Sequence, residues 1–114
     1  MNLKNRVQLI GNLGSTPIVK NFESGNKMVR FSLATSDVYK KNGEFIKDTQ
    51  WHNIVTWGKV AKIAEDNLTT GCEVVIDGRL NQRSYVDKEG SKRYITEIIA
   101  SNIVFRKITE NVEN

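Results

Sequence analysis

The residues best equipped for chemistry in this 114-residue chain are aromatic and cationic, and they recur together. Trp51 and Trp57 fall on one strand alternation with Asn53 between them, about 20 Å apart if the segment is extended at about 3.3 Å per residue. Two indoles with an asparagine between them are an unusual inventory for a dry core. Tyr39 is followed by Lys40 and Lys41, which repeats the pairing of a ring with positive charge. A third instance is spaced every second residue: Arg79, Asn81, Arg83 and Tyr85. Exposed rings stack on other planar rings, and guanidinium or ammonium groups beside them follow a line of phosphates. On a single β surface these three places would offer flat platforms with cations at their edges.

Other chemistries find little support. The one histidine, His52, and the one cysteine, Cys72, cannot together supply a zinc set, so neither a metal nor a cofactor is expected. Cys72 opens a strand and reads as a small apolar residue. The carboxylates are scattered through turns and alternating positions, with no spacing suited to paired acid–base work, and no enzyme is read here. Gly11 and Gly14 form a GxxG pattern, but it follows a strand and no Gly-Lys-Ser/Thr comes after it, so a turn is the better reading than a phosphate loop. The balance of 17 Lys+Arg against 13 Asp+Glu leaves a net charge of +4, which permits a polyanionic partner without requiring one. No apolar run approaches the roughly 20 residues of a membrane helix, and the first residues lack a signal-peptide core. A reducing, cytoplasmic setting and no membrane association are the expectation.

The elements that must position these side chains are mostly strands. Ile and Val number 11 each against 6 Leu and 4 Ala, and β-branched side chains pack well on a pleated surface. The pattern predicts strands over Met1–Gly11, Met28–Tyr39, Asp48–Trp57, Cys72–Val86 and Lys92–Arg106, with Ile18–Phe22 continuing the first in extended form. Asn42-Gly43 marks a hairpin. Between Lys59 and Leu68 the period changes: Val60, Ala61, Ile63, Ala64 and Leu68 lie at helical spacing, and Gly71 is placed to end the helix. The fold class is therefore all-β, a five-stranded oligonucleotide-binding (OB) barrel with one α-helix between its third and fourth strands. It would occupy residues 1–106, followed by a short polar end at 107–114. In the fourth strand Val74, Ile76, Gly78 and Leu80 should face the core, leaving Arg79, Asn81, Arg83 and Tyr85 on the open face.

Asn5–Gly14 with Pro17, Phe31–Ser36, Trp51–Lys59, Gly71–Leu80 and Tyr94–Glu97 together resemble the bacterial single-stranded DNA-binding protein family, from about Asn2 to Phe105 and in the expected order. The resemblance implies an OB fold, a homotetramer, and sequence-independent wrapping of single-stranded DNA during replication, recombination and repair. Trp51 stands at a stacking tryptophan of the family. Tyr39 and Tyr85 occupy positions that are often tryptophan, and Trp57 one where phenylalanine is common. Lys59 and Arg83 match cations that contact the DNA backbone, with Lys40, Lys41 and Arg79 nearby in sequence. Asn81, Ser84 and Thr70 are neutral where relatives often carry Lys or Arg, which implies weaker phosphate binding. His52 matches a family histidine near the subunit contact. The family usually continues into a disordered linker with an acidic tip that recruits replication and repair proteins. Residues 107–114 carry no such tip, and recruitment by that route is doubtful here. The alternative reading keeps the barrel but makes it a protein-interaction module, like the primosomal OB proteins, that binds DNA only modestly.

Overall fold

The computed structural model describes residues 4–106; the polar end expected at 107–114 lies outside them. Six strands and a helix follow in order: β1 (Val7–Leu13), β2 (Ile18–Asn21), β3 (Lys27–Lys41), β4 (Glu44–Trp57), α1 (Gly58–Asn67), β5 (Glu73–Val86) and β6 (Lys92–Arg106). Five of the strands close a barrel in the order β1-β5-β6-β4-β3, sealed where Asn12 and Leu13 of β1 meet Ala34 and Leu33 of β3. Every pairing is antiparallel except β4 with β6, where Ile54 and Val55 run parallel to Ile98 and Ile99. The short β2 pairs with the start of β3, so the expected extended stretch after the first turn is a strand of its own. The helix therefore stands between β4 and β5, the third and fourth long strands of the expected barrel.

Alternation accounts for the core. Val29, Phe31 and Leu33 of β3, Ile54 of β4, Val74 and Ile76 of β5, and Ile98, Ala100 and Ile103 of β6 are all buried. Thr56 is buried with them, and its hydroxyl donates to the Val29 carbonyl at 2.8 Å, which removes the cost of an unpaired polar group. The helix plugs the barrel with Ala61 and Ala64, two small residues that let its backbone come close, and Leu68 just past its end is buried with them, while Ile63 looks outward. Gly71 does not end this helix. The helix stops at Asn67, the Leu68 N–H closes on the Ala64 carbonyl, and the Gly71 N–H instead donates to the Leu13 carbonyl at 2.8 Å, tying the following turn to β1. Cys72 is buried as the small apolar residue expected.

Two hairpins outrun the barrel. In β3–β4 the register continues from Met28↔Trp57 out to Lys41↔Glu44, turning at Asn42 and Gly43, whose φ angles of 52° and 82° suit the tight turn that this dipeptide favours. In β5–β6 a bulge between Asp77 and Gly78 lets the strand leave the barrel. Beyond it, the side chain of Asn5 grips the Leu80 backbone twice, accepting from its N–H at 2.9 Å and donating to its carbonyl at 3.0 Å, where β1 no longer supplies partners. Leu80 thus departs from the expected inward orientation: it is 50% exposed, because its alternation has no barrel interior left to face. The projecting arms also explain a radius of gyration of 16.6 Å, against about 13 Å for a compact domain of 100 residues.

Candidate nucleic-acid interface

The outward alternation of four strands meets in one row. Arg30 of β3 pairs with Val55 of β4, Val55 with Ile99 of β6, and Ile99 with Arg79 of β5. This gives an apolar floor, Val55 and Ile99, flanked by two arginines. Among the described residues neither arginine, nor Lys59 at the start of α1, has a carboxylate partner. Over the floor lies a groove of about 400 Å³ whose walls include Trp57, Phe22, Lys20, Arg30, Arg83 and Glu97. A smaller cleft of about 190 Å³ opens between the bases of the two hairpins and takes in Trp51, Asn53, Leu80 and, again, Glu97. Arg79 also borders a third depression on the other side of Ile99, with Arg6 and Asp77.

The aromatic residues are held in different ways. Trp57, the last residue of β4, lies 43% exposed against Phe22, ring centroids 5.8 Å apart and planes within 23°. Phe22 follows β2, with Lys20 Nζ 5.3 Å from its ring centre. Trp51 is 63% exposed, and its six-membered ring lies over Gly14, where any Cβ would stand 2.3 Å from Cζ3. Tyr85 and its cross-strand partner Arg93 share the outward alternation of Arg83. Tyr39 does not join the surface of Trp51 and Trp57 as expected. It carries the alternation of Phe31 and Leu33 and sits opposite Ile46, whereas Trp51 sits opposite Ala34, so the two rings leave opposite sides of the β3–β4 ribbon. Lys40 is on the Trp51 side, and its ammonium lies 5.8 Å from the ring centre of Phe45 opposite. Lys41 is exposed at the hairpin end beside Glu44.

Arg83 is not a free cation. Its Nε donates to Glu97 Oε1 at 3.1 Å, and the Asn81 amide reaches the same oxygen at 3.4 Å. His52 is half-buried on the inward alternation, its Nε2 2.9 Å from the Thr35 hydroxyl. Among the described residues no group of histidine, cysteine and carboxylate side chains could hold a metal ion. Phe22, Phe45, Arg30 and Glu97 join the site only in the structure. Phe22 and Arg30 reach the groove only through the β2–β3 and β3–β4 registers, which turn geometry sets. Phe45 does carry a signal, an aromatic two residues past an Asn-Gly turn with lysines opposite.

A platform of rings above an apolar floor, edged by uncompensated arginines, suits an extended anion bearing planar groups. Residues 4–106 match the model of the single-strand binding protein family. The chain belongs to that family. It is 45% identical over 101 residues to single-stranded DNA-binding protein 1 of Chlorobaculum tepidum, the match covering 87% of this chain and 62% of that protein. It is 40% identical over 101 residues to single-stranded DNA-binding protein 1 of Xylella fastidiosa, covering 87% of this chain and 74% of that one. The chain thus spans under two-thirds of the Chlorobaculum relative. Among solved structures, one described as a complex of Plasmodium falciparum SSB with ssDNA superposes with a TM-score of 0.80 at 31% identity, covering 94% of this chain and 100% of that one. The barrel is an OB fold, as the strand order predicts.

Proposed function

We propose that this protein binds single-stranded DNA without regard to sequence and protects it during replication, recombination and repair, in the cytoplasm and without enzymatic activity. The observation that carries this reading is the outward face of β3, β4, β5 and β6, where Trp57 on Phe22, Arg30, Val55 and Ile99 line one groove and Arg79 stands next in the row beyond Ile99. Bases stack on the rings, a contact worth about 1–3 kcal/mol per base that every base can make. Arg30, Arg79, Lys59, Lys40 and Lys41 take the phosphates. Trp51 and Tyr85 extend the stacking path onto the hairpins, and Tyr39 serves the strand as it rounds the edge of the β3–β4 ribbon.

The same reading includes a homotetramer, with His52 near a subunit contact. An apolar row elsewhere on the barrel's outer surface supports assembly: Ile10, Val75 and Val104 are mutual neighbours across β1, β5 and β6. Ile10 and Val104 are 63% and 58% exposed. Polar rows flank them, Gln8–Asp77–Asn102 on one side and Asn12–Glu73–Arg106 on the other, the apolar centre and polar rim of an interface.

Titration with oligo-dT, read by tryptophan fluorescence, tests the DNA reading. Emission should be quenched at low salt. If about four phosphates are neutralised per subunit, log K should fall against log salt with a slope of about −3. Trp51→Ala should weaken oligo-dT and oligo-dA alike. A folded protein whose emission does not respond at low salt would refute the proposal.

A further inference from the structure

We infer that Glu97 is a positioning residue for phosphate binding: it anchors the inner edge of the Arg83 guanidinium so that the outer edge faces the groove. The inference rests on the reading of this groove as a single-stranded DNA site. Glu97 sits on β6 directly opposite Asn81, and Arg83 is its diagonal neighbour on the same face of the hairpin, within reach of a long side chain. The carboxylate is 7% exposed and the arginine 46%. The pair therefore has a buried anchor and an open end. Only Nε of Arg83 is engaged, by Glu97 Oε1 at 3.1 Å. Among the described residues both terminal nitrogens are without a partner. A guanidinium held through Nε keeps its terminal donors for two phosphate oxygens, a geometry that a single ammonium cannot reproduce. Glu97 also borders both the Trp57 groove and the Trp51 cleft, so the group it holds lies where a strand passes between them.

A carboxylate beside a phosphate path is costly by charge alone, which makes the sign of its removal diagnostic. If Glu97 acted only through its charge, Glu97→Gln would tighten binding to a polyanion. Positioning requires the opposite. Glu97→Gln should weaken oligo-dT binding about five- to tenfold at low salt, and the salt slope should become shallower by about 0.7, the loss of one phosphate contact on a single strand. Arg83→Lys, which keeps the charge and the buried partner, should weaken binding to a similar degree, and the double variant should lose little more than either single one.

These measurements are made on the whole chain, with circular dichroism and a thermal melt recorded for each variant. Binding by Glu97→Gln as tight as wild type or tighter, with an unchanged or steeper slope, would overturn the inference. Should Glu97→Gln not fold, Arg83→Lys decides alone, and wild-type affinity in that variant overturns it equally. Failure of the wild type itself to bind oligo-dT is a separate result, which removes the DNA reading beneath the inference.

Discussion

Gly14 and Trp51 constrain each other tightly beside the proposed DNA path. The indole ring occupies the space a β-carbon on residue 14 would need, 2.3 Å from Cζ3 and 2.9 Å from Cη2. The ring is exposed on its other side, so it can move, and a substitution at Gly14 would be accommodated by displacing Trp51 rather than by breaking the barrel. Gly14→Ala should leave the melting temperature within about 3 °C of wild type, since both groups lie at the surface. It should shift the tryptophan emission and weaken oligo-dT binding about tenfold, within the range expected when one stacking contact is lost. Unchanged emission with unchanged affinity would show that the indole does not depend on this glycine. Trp57 is restrained differently, by a second ring rather than by a backbone, and Phe22 serves it as Gly14 serves Trp51.

At the scale of elements, the two projecting hairpins set where the rings stand, and one of them carries its own electrostatic latch. At the β5–β6 turn, Asp87 accepts from Arg93 Nε at 2.9 Å and from the N–H groups of Ser91 and Glu89 at 2.9 Å and 3.0 Å. The Arg93 bond first, then these amides, hold the carboxyl below its ordinary pKa of 3.8. A carboxylate with a depressed folded-state pKa contributes stability that is complete above the unfolded value and is lost as pH falls through the folded one. Amide protection factors around Asp87–Arg93 should therefore stay constant above about pH 5 and decline below 3.8, while Asp87→Asn should lack that acid-dependent step. Matching acid profiles in the two proteins would count against the latch. Elements like this turn are legible in a sequence because their determinants are local: Asn42-Gly43 foretells its hairpin, and the spacing of Ala61, Ala64 and Leu68 foretells the plug. Tyr39 and Leu80 are not legible in that way. One is settled only by carrying the pairing back from the Asn42-Gly43 turn, which sets Tyr39 across from Ile46 and Trp51 across from Ala34, and the other needs to know that β5 has left the barrel. Glu97 on Arg83 and Trp57 on Phe22 likewise join residues that only pairing between strands brings together.

For the whole molecule, the barrel presents two unlike surfaces, a cationic aromatic groove and, on the outer side of β1, β5 and β6, a sheet face with an apolar centre. If the second face joins subunits, the first is multiplied, and a long strand binds several grooves at once with the gain in avidity that linked sites provide. The two contributions separate by oligonucleotide length. Ile10 and Val104 are exposed in the isolated chain, so aspartate at both positions should change its folding stability little, by about 0.5 kcal/mol per site or less. The same charges, opposed to their own copies across a symmetric interface, should prevent assembly. Sedimentation at micromolar concentration should give a tetramer for the wild type and a smaller species for the Ile10→Asp, Val104→Asp variant. Oligonucleotides short enough for one groove should bind both proteins alike, whereas strands long enough to wrap the tetramer should lose about 100-fold or more in affinity with the variant. A variant that stays tetrameric would move the interface elsewhere on the barrel, and a monomeric wild type would leave each groove to bind DNA alone.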